Sequence, residues 1–254
     1  MSTSPQPVSS ILVVDDEPDN CLNLADILTD IGYRVDTAFD GEAALELVRK
    51  NPYDVALLDF KMPGMDGLEL YRAIRKMRAD TVAMIISAYT DGATCDEAIG
   101  AGAWRVLSKA VDVTRLLELV DEALGQPLVL VVDDDPDMCE NLWDLLRERG
   151  YRVSLARDAA TAAERTREKA YRVVLIDMRL PGVDGSEVFH TVRTANPEAH
   201  TVIITGHPGE LGGLVEQVLH EGADAVCYKP FDVPTLLTTL ERLTQPRQPS
   251  RPEG

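Results

Sequence analysis

Val55-Ala-Leu-Leu-Asp-Phe-Lys-Met-Pro-Gly-Met-Asp-Gly67 is matched, 118 positions further along the chain, by Val173-Val-Leu-Ile-Asp-Met-Arg-Leu-Pro-Gly-Val-Asp-Gly185. In each stretch a short, unbroken apolar run ends on an aspartate and then meets a Pro-Gly turn. An unbroken run of this length suits a strand buried on both faces, and the turn residues mark where it stops. The repeat extends outward at the same spacing. Ile11-Leu-Val-Val-Asp-Asp-Glu-Pro-Asp19 returns as Val129-Leu-Val-Val-Asp-Asp-Asp-Pro-Asp137, Gly32-Tyr-Arg-Val35 as Gly150-Tyr-Arg-Val153, and Ser87 faces Thr205. Lys109 and Lys229 are 120 apart, so the second copy gains two residues after Thr205, most simply around Pro208-Gly-Glu-Leu-Gly-Gly213. A repeat this long is a duplicated domain and not a solenoid.

Within each copy, apolar runs rich in Val and Ile alternate with longer segments of helical period, the pattern of βα units around a buried parallel sheet. Strands are predicted near Ile11 to Val14, Arg34 to Ala38, Val55 to Leu58, Val82 to Ile86 and Trp104 to Leu107. A helix near Asn20 to Ile31 carries Leu24, Ile27, Leu28 and Ile31 on one stripe, and another spans Val113 to Leu124. Gly32 and Gly125 are read as the caps that end them. The expected division is a disordered start over 1–9, one domain over 10–125, a second over 126–243, and a disordered tail over 244–254 that is rich in Pro, Gln and Arg. Only Gly125-Gln126-Pro127 separates the last helix of the first copy from the next strand.

The 254 residues hold 25 Lys+Arg against 43 Asp+Glu, a formal charge of -18. Nucleic-acid backbones and anionic membrane surfaces are repelled by such a chain, so neither is expected as a partner. No apolar run approaches the roughly 20 residues of a membrane span, and Met1 to Ser10 lacks the basic and apolar regions of a signal peptide. The cytoplasm is the expected location. Cys21, Cys95, Cys139 and Cys227 are far apart in sequence and are read as packing residues. His190, His200, His207 and His220 share no face or partner in the sequence and are read as surface residues. His207, two positions past Thr205 and opposite Tyr89, is the one histidine near the expected site mouth.

In open parallel α/β sheets, ligands bind beyond the carboxyl ends of the strands. The acids collect there: Asp15 and Asp16 end the first strand and Asp59 the third, with Asp133, Asp134 and Asp177 in the second copy. Ser87 or Thr205 ends the fourth strand, and Lys109 or Lys229 follows the fifth. Carboxylates forced together repel one another unless a hard divalent cation such as Mg²⁺ lies between them. One aspartate can then attack phosphorus and become an acyl phosphate while the hydroxyl and the ammonium hold the other oxygens. Asp59 and Asp177 are the candidate nucleophiles. Asp66 and Asp184, by contrast, read as turn or helix-cap residues.

These residues resemble the receiver domains of two-component response regulators, and the resemblance covers nearly the whole chain twice. It implies an α/β fold of two flavodoxin-like (βα)5 receiver domains, each a parallel sheet of order 2-1-3-4-5 with helices on both faces. It implies Mg²⁺ held by Asp15, Asp16, Asp59 and the backbone carbonyl of Lys61, and by Asp133, Asp134, Asp177 and that of Arg179. It further implies phosphoacceptors at Asp59 and Asp177, phosphate-sensing hydroxyls at Ser87 and Thr205, and neutralising lysines at Lys109 and Lys229. The implied partners are a histidine kinase or histidine phosphotransfer protein and an unidentified downstream protein. The chain would then be no enzyme in the ordinary sense, only a phosphoacceptor that assists its own phosphotransfer and dephosphorylation. With no residues left for an output domain, it is expected to act by contact. Two departures stand out: Ala110 follows Lys109 where the family usually has proline, which Lys229-Pro230 keeps, and Val106 and Val226 occupy the place of the aromatic switch residue.

Other classes fit less well. A haloacid dehalogenase phosphatase needs an acid two residues after its nucleophile, where Lys61 and Arg179 stand. A flavodoxin needs a phosphate loop after the first strand, where Asp-Asp-Glu-Pro and Asp-Asp-Asp-Pro would repel the ligand. A non-phosphorylated scaffold with the same fold is the serious rival, favoured by the valines and Ala110 and opposed by two intact sets of acid, hydroxyl and lysine.

Overall fold

A computed structural model describes residues 8–88, 92–206 and 212–245. The chain divides into two compact units, Met1–Gln126 and Pro127–Gly254. In the first, the strands are β1 (Ser10–Val14), β2 (Arg34–Ala38), β3 (Val55–Asp59), β4 (Val82–Ser87) and β5 (Arg105–Ser108). They alternate with α1 (Pro18–Asp30), α2 (Gly41–Lys50), α3 (Gly67–Met77), α4 (Gly92–Gly100) and α5 (Val113–Leu124). The second unit has β6 (Leu128–Val132), β7 (Arg152–Ala156), β8 (Val173–Asp177), β9 (Arg179–Leu180), β10 (Val183–Asp184), β11 (His200–Thr205) and β12 (Ala225–Tyr228). Its helices are α6 (Pro136–Arg147), α7 (Ala159–Glu168), α8 (Gly185–Ala195), α9 (Gly212–His220) and α10 (Val233–Thr244).

Each unit forms a five-stranded sheet, ordered β2-β1-β3-β4-β5 in the first and β12-β11-β8-β6-β7 in the second, with parallel pairing throughout. Read from opposite ends, both orders are 2-1-3-4-5. The unbroken apolar runs are explained by burial on both faces. Leu12, Val14, Ala56 and Leu58 point into one cluster with α2 and α3, while Ile11, Val13, Val55 and Leu57 point into another with α1 and α5. In the second unit Leu130, Val132, Val174 and Ile176 pack against Phe189 and Val192 of α8. β9 and β10 form a short antiparallel hairpin directly after Asp177, a feature for which the sequence pattern gave no signal.

Several expectations are corrected. The first helix begins at Pro18, whose missing N–H suits a first-turn position, and stops at Asp30. Gly32 then turns the chain with φ 102, leaving Ile31 outside the helix and 53% exposed, not on the core stripe. Gly125 caps α5 but stays right-handed, at φ -71. Ser9 is tied to the sheet through its carbonyl, which accepts from Arg34 N–H, and Thr244 is helical, so neither residue belongs to the disordered segments expected there. His200 and His190 do have partners: His200 Nδ1 lies 2.7 Å from Asp224 and His190 Nε2 lies 3.4 Å from Glu221. The spacing between copies reaches 120 by Gly212, where α9 begins opposite Gly92 of α4, so the two extra residues fall between Thr205 and Gly212. Residues 207–211 of that stretch, including His207, lie outside the described residues, as do Tyr89 and the terminal segments 1–7 and 246–254. Cys21, Cys139 and Cys227 are buried and Cys95 is half-buried, all four as free thiols.

Candidate functional site

Parallel pairing lines up the strand ends, which places the acids of non-adjacent sequence segments side by side. β1 pairs with β3 through Val14↔Leu58, so Asp15 and Asp16 emerge beside Asp59. β6 and β8 repeat this through Val132↔Ile176, setting Asp133 and Asp134 beside Asp177. In each unit three carboxylates can offer oxygens that all lie within 4.8 Å of one another. On the far side, Phe60 N–H donates to Ile86 O and Lys109 N–H to Ser87 O, which brings the hydroxyl and lysine residues to the same edge. Met178 to Ile204 and Lys229 to Thr205 are the matching bonds in the second unit.

The lysines close the clusters. Lys109 Nζ stands 3.1 Å from Asp59 Oδ2 and 3.3 Å from Asp15 Oδ2. Lys229 Nζ is 2.7 Å from Asp133 Oδ2 and 2.5 Å from Asp177 Oδ2. Burial raises the Asp59 carboxyl above its ordinary range, and the bond from Lys109 offsets only part of that. Asp133 is raised for the same reason, with Lys229 as the partial offset. Burial also works against both ammonium groups, but their carboxylate partners outweigh it and hold Lys109 and Lys229 above the usual lysine value. Ser87 and Thr205 are buried at the ends of their strands.

The residues two places after each acceptor meet it through the backbone: Arg179 N–H donates to Asp177 Oδ1 at 2.9 Å, and Lys61 N–H donates to Asp59. Asp66 caps α3 in a reciprocal capping box with Glu69. Asp184 lies in β10, just before α8. Val106 and Val226 are half-buried and pack on the core clusters. The Lys229-Pro230 bond is cis, the one cis bond among the described residues, so Lys109-Ala110 is trans.

Two functional positions were missed. A Cβ on Gly67 would lie 2.2 Å from the carbonyl oxygen of Asp59, and one on Gly185 would lie 2.6 Å from that of Asp177. These glycines let the first turn of α3 or α8 pass against the backbone of the acceptor. Both stood at the end of the quoted repeat, and their recurrence was the available signal.

The arrangement is that of a known family. The model of the response regulator receiver domain matches residues 11–121 and again 129–241. The chain belongs to the response regulator receiver family. It is 36% identical, over 93% of its length and 95% of the relative's, to a response regulator receiver protein of Anaeromyxobacter sp. strain Fw109-5. The transcriptional regulatory protein ZraR of Klebsiella oxytoca is 39% identical over 45% of this chain, which covers 26% of that protein. Among solved structures, a CheY-like receiver domain protein of Methanospirillum hungatei aligns with 29% identity and TM-score 0.45, covering 46% of this chain and 94% of its own. No helix among the described residues is long and apolar enough to cross a membrane.

Proposed function

We propose that this receiver pair is a phosphoacceptor protein of a two-component phosphorelay, accepting phosphate on Asp59 and Asp177 and acting by protein contact. The carrying observation is the double convergence of three carboxylates, a buried hydroxyl and a lysine at the carboxyl edge of a parallel sheet. The donor in this reading is the phosphohistidine of a histidine kinase or phosphotransfer protein. An Asp59 or Asp177 carboxylate oxygen bonds to phosphorus as the P–N bond to the donor imidazole breaks, and the imidazole keeps the electron pair and takes up a proton.

The donor set fits Mg²⁺, since three hard oxygen ligands converge and nothing soft accompanies them. Asp15, Asp16, Asp59 and the Lys61 carbonyl would hold it in one unit, and Asp133, Asp134, Asp177 and the Arg179 carbonyl in the other. When bound, the ion neutralises charge on the phosphoryl oxygens. Lys109 and Lys229 orient the acceptors and supply a further positive charge, while Ser87 and Thr205 offer hydroxyls where a phosphoryl oxygen would arrive. No substrate other than the chain itself is involved beyond the donor, and the cytoplasm, where such donors present their phosphohistidine, is the location this reading requires.

The test is phosphate incorporation measured by intact mass, with a small phosphodonor and Mg²⁺. The wild-type chain should gain two phosphoryl groups, Asp59→Ala and Asp177→Ala one each, and the double variant none. A wild-type chain that takes up no phosphate would favour the scaffold, and unchanged uptake in the double variant would remove both assignments.

A further inference from the structure

The two clusters differ in charge at a flanking position. Asp133 N–H donates to Ala156 O, so the residue after Ala156 stands next to the acid pair; there the second unit has Arg157 where the first has Phe39. The Arg157 guanidinium hydrogen-bonds the Cys139 thiol in the first turn of α6, and that thiol donates to the Asp133 carbonyl at 3.2 Å. The exposed guanidinium is thereby tied, through the thiol, to the backbone of Asp133 at the edge of the cluster. Phe39, 43% exposed, brings no charge to the same place.

The lysine bridges differ in the same sense. The Asp133 side chain is 0% exposed and bonded to Lys229 at 2.7 Å, whereas Asp15 is 14% exposed and lies 3.3 Å from Lys109. A cation entering the second cluster must displace a tightly held ammonium and approach an added guanidinium. One entering the first meets a looser bridge and, at the place of Arg157, the uncharged Phe39. Attraction between charges a few ångströms apart falls when a like charge is added beside the target.

We propose that Arg157, together with the tight Lys229 bridge, makes the second cluster the weaker divalent-cation site, so that the two receivers fill at different Mg²⁺ concentrations. Arg157 acts here through its charge on the affinity of the site. The inference rests on the phosphoacceptor reading of both clusters.

Calorimetric Mg²⁺ titration of the full chain tests it. Asp134→Ala leaves the first cluster intact and Asp16→Ala the second. The Asp134→Ala protein should bind about three- to tenfold more tightly than the Asp16→Ala protein. Adding Arg157→Phe or Arg157→Gln to Asp16→Ala should tighten binding, Arg157→Lys should leave it weak, and Phe39→Arg should loosen Asp134→Ala. Equal affinities, or an Arg157→Gln protein that binds no better than Arg157→Lys, would overturn the asymmetry and leave the phosphoacceptor reading standing. Absence of Mg²⁺ binding in every protein would overturn both.

Discussion

Gly67 shows how little room the acceptor leaves. The nearest atom to a Cβ built there is the backbone oxygen of Asp59 itself, at 2.2 Å, and neither a rotamer change nor a side-chain shift relieves a clash with main chain. Gly67→Ala should therefore cost about 3 kcal/mol, the upper part of the range for forced overpacking, and should displace Asp59 from Lys109. Asp66→Ala, one residue earlier, removes only the capping box and should cost about 1 kcal/mol. Urea unfolding followed through Trp104, which lies in the same unit, compares the two directly. If Gly67→Ala proved no worse than Asp66→Ala, the close approach would not be what fixes glycine there. Gly185→Ala should behave alike in the second unit, where the clash is with Asp177 and Met178.

Elements were legible where their signal is local and obscure where it is not. Continuous runs such as Ile11 to Val14 and Val55 to Leu58 could only be doubly buried strands, and the strand ends then placed Asp15 and Asp59 without further information. Gly32 marked the end of the first helix correctly, but Ile31 beside it is the non-helical cap residue, which apolar periodicity alone cannot tell from the last residue of the helix. Gly67 escaped notice because its constraint comes from a carbonyl eight positions away that touches it only in the fold. The His200 and Asp224 pair joins the starts of neighbouring strands β11 and β12 and has no sequence spacing of its own. Helix caps lie between these extremes. Asp158 opens α7, its carboxylate accepting from Thr161 N–H at 2.7 Å, and that bond lowers its pKa against the small opposing effect of burial. A lowered carboxylate stabilises the fold above its unfolded value and loses that contribution as pH falls through the folded value. Asp158→Ala should thus cost about 1 kcal/mol at neutral pH, and the cost should shrink below the usual carboxylate range, as paired urea midpoints at the two pH values would show.

At the scale of the whole chain, the formal charge of -18 and the two acid clusters both make added cations stabilising, but by different routes. Diffuse repulsion among surface carboxylates is screened by any salt, with a Debye length of about 10 Å at 0.1 M. A bound divalent ion instead stabilises by mass action, in proportion to the logarithm of its concentration over its dissociation constant. In chelator, raising NaCl from about 20 to about 200 mM should lift Tm by a few degrees in the wild type and equally in an Asp16→Ala/Asp134→Ala double variant. Replacing part of the NaCl with MgCl₂ at constant ionic strength should give a further rise in the wild type alone. Removing one carboxylate from each cluster hardly alters the total charge, so the screening response has no reason to change, whereas a site reduced to two carboxylates loses the ligand set that distinguishes Mg²⁺ from Na⁺. A magnesium increment that survived in the double variant would mean that the ion acts through the diffuse field of the chain, and the clusters would then have no claim to it.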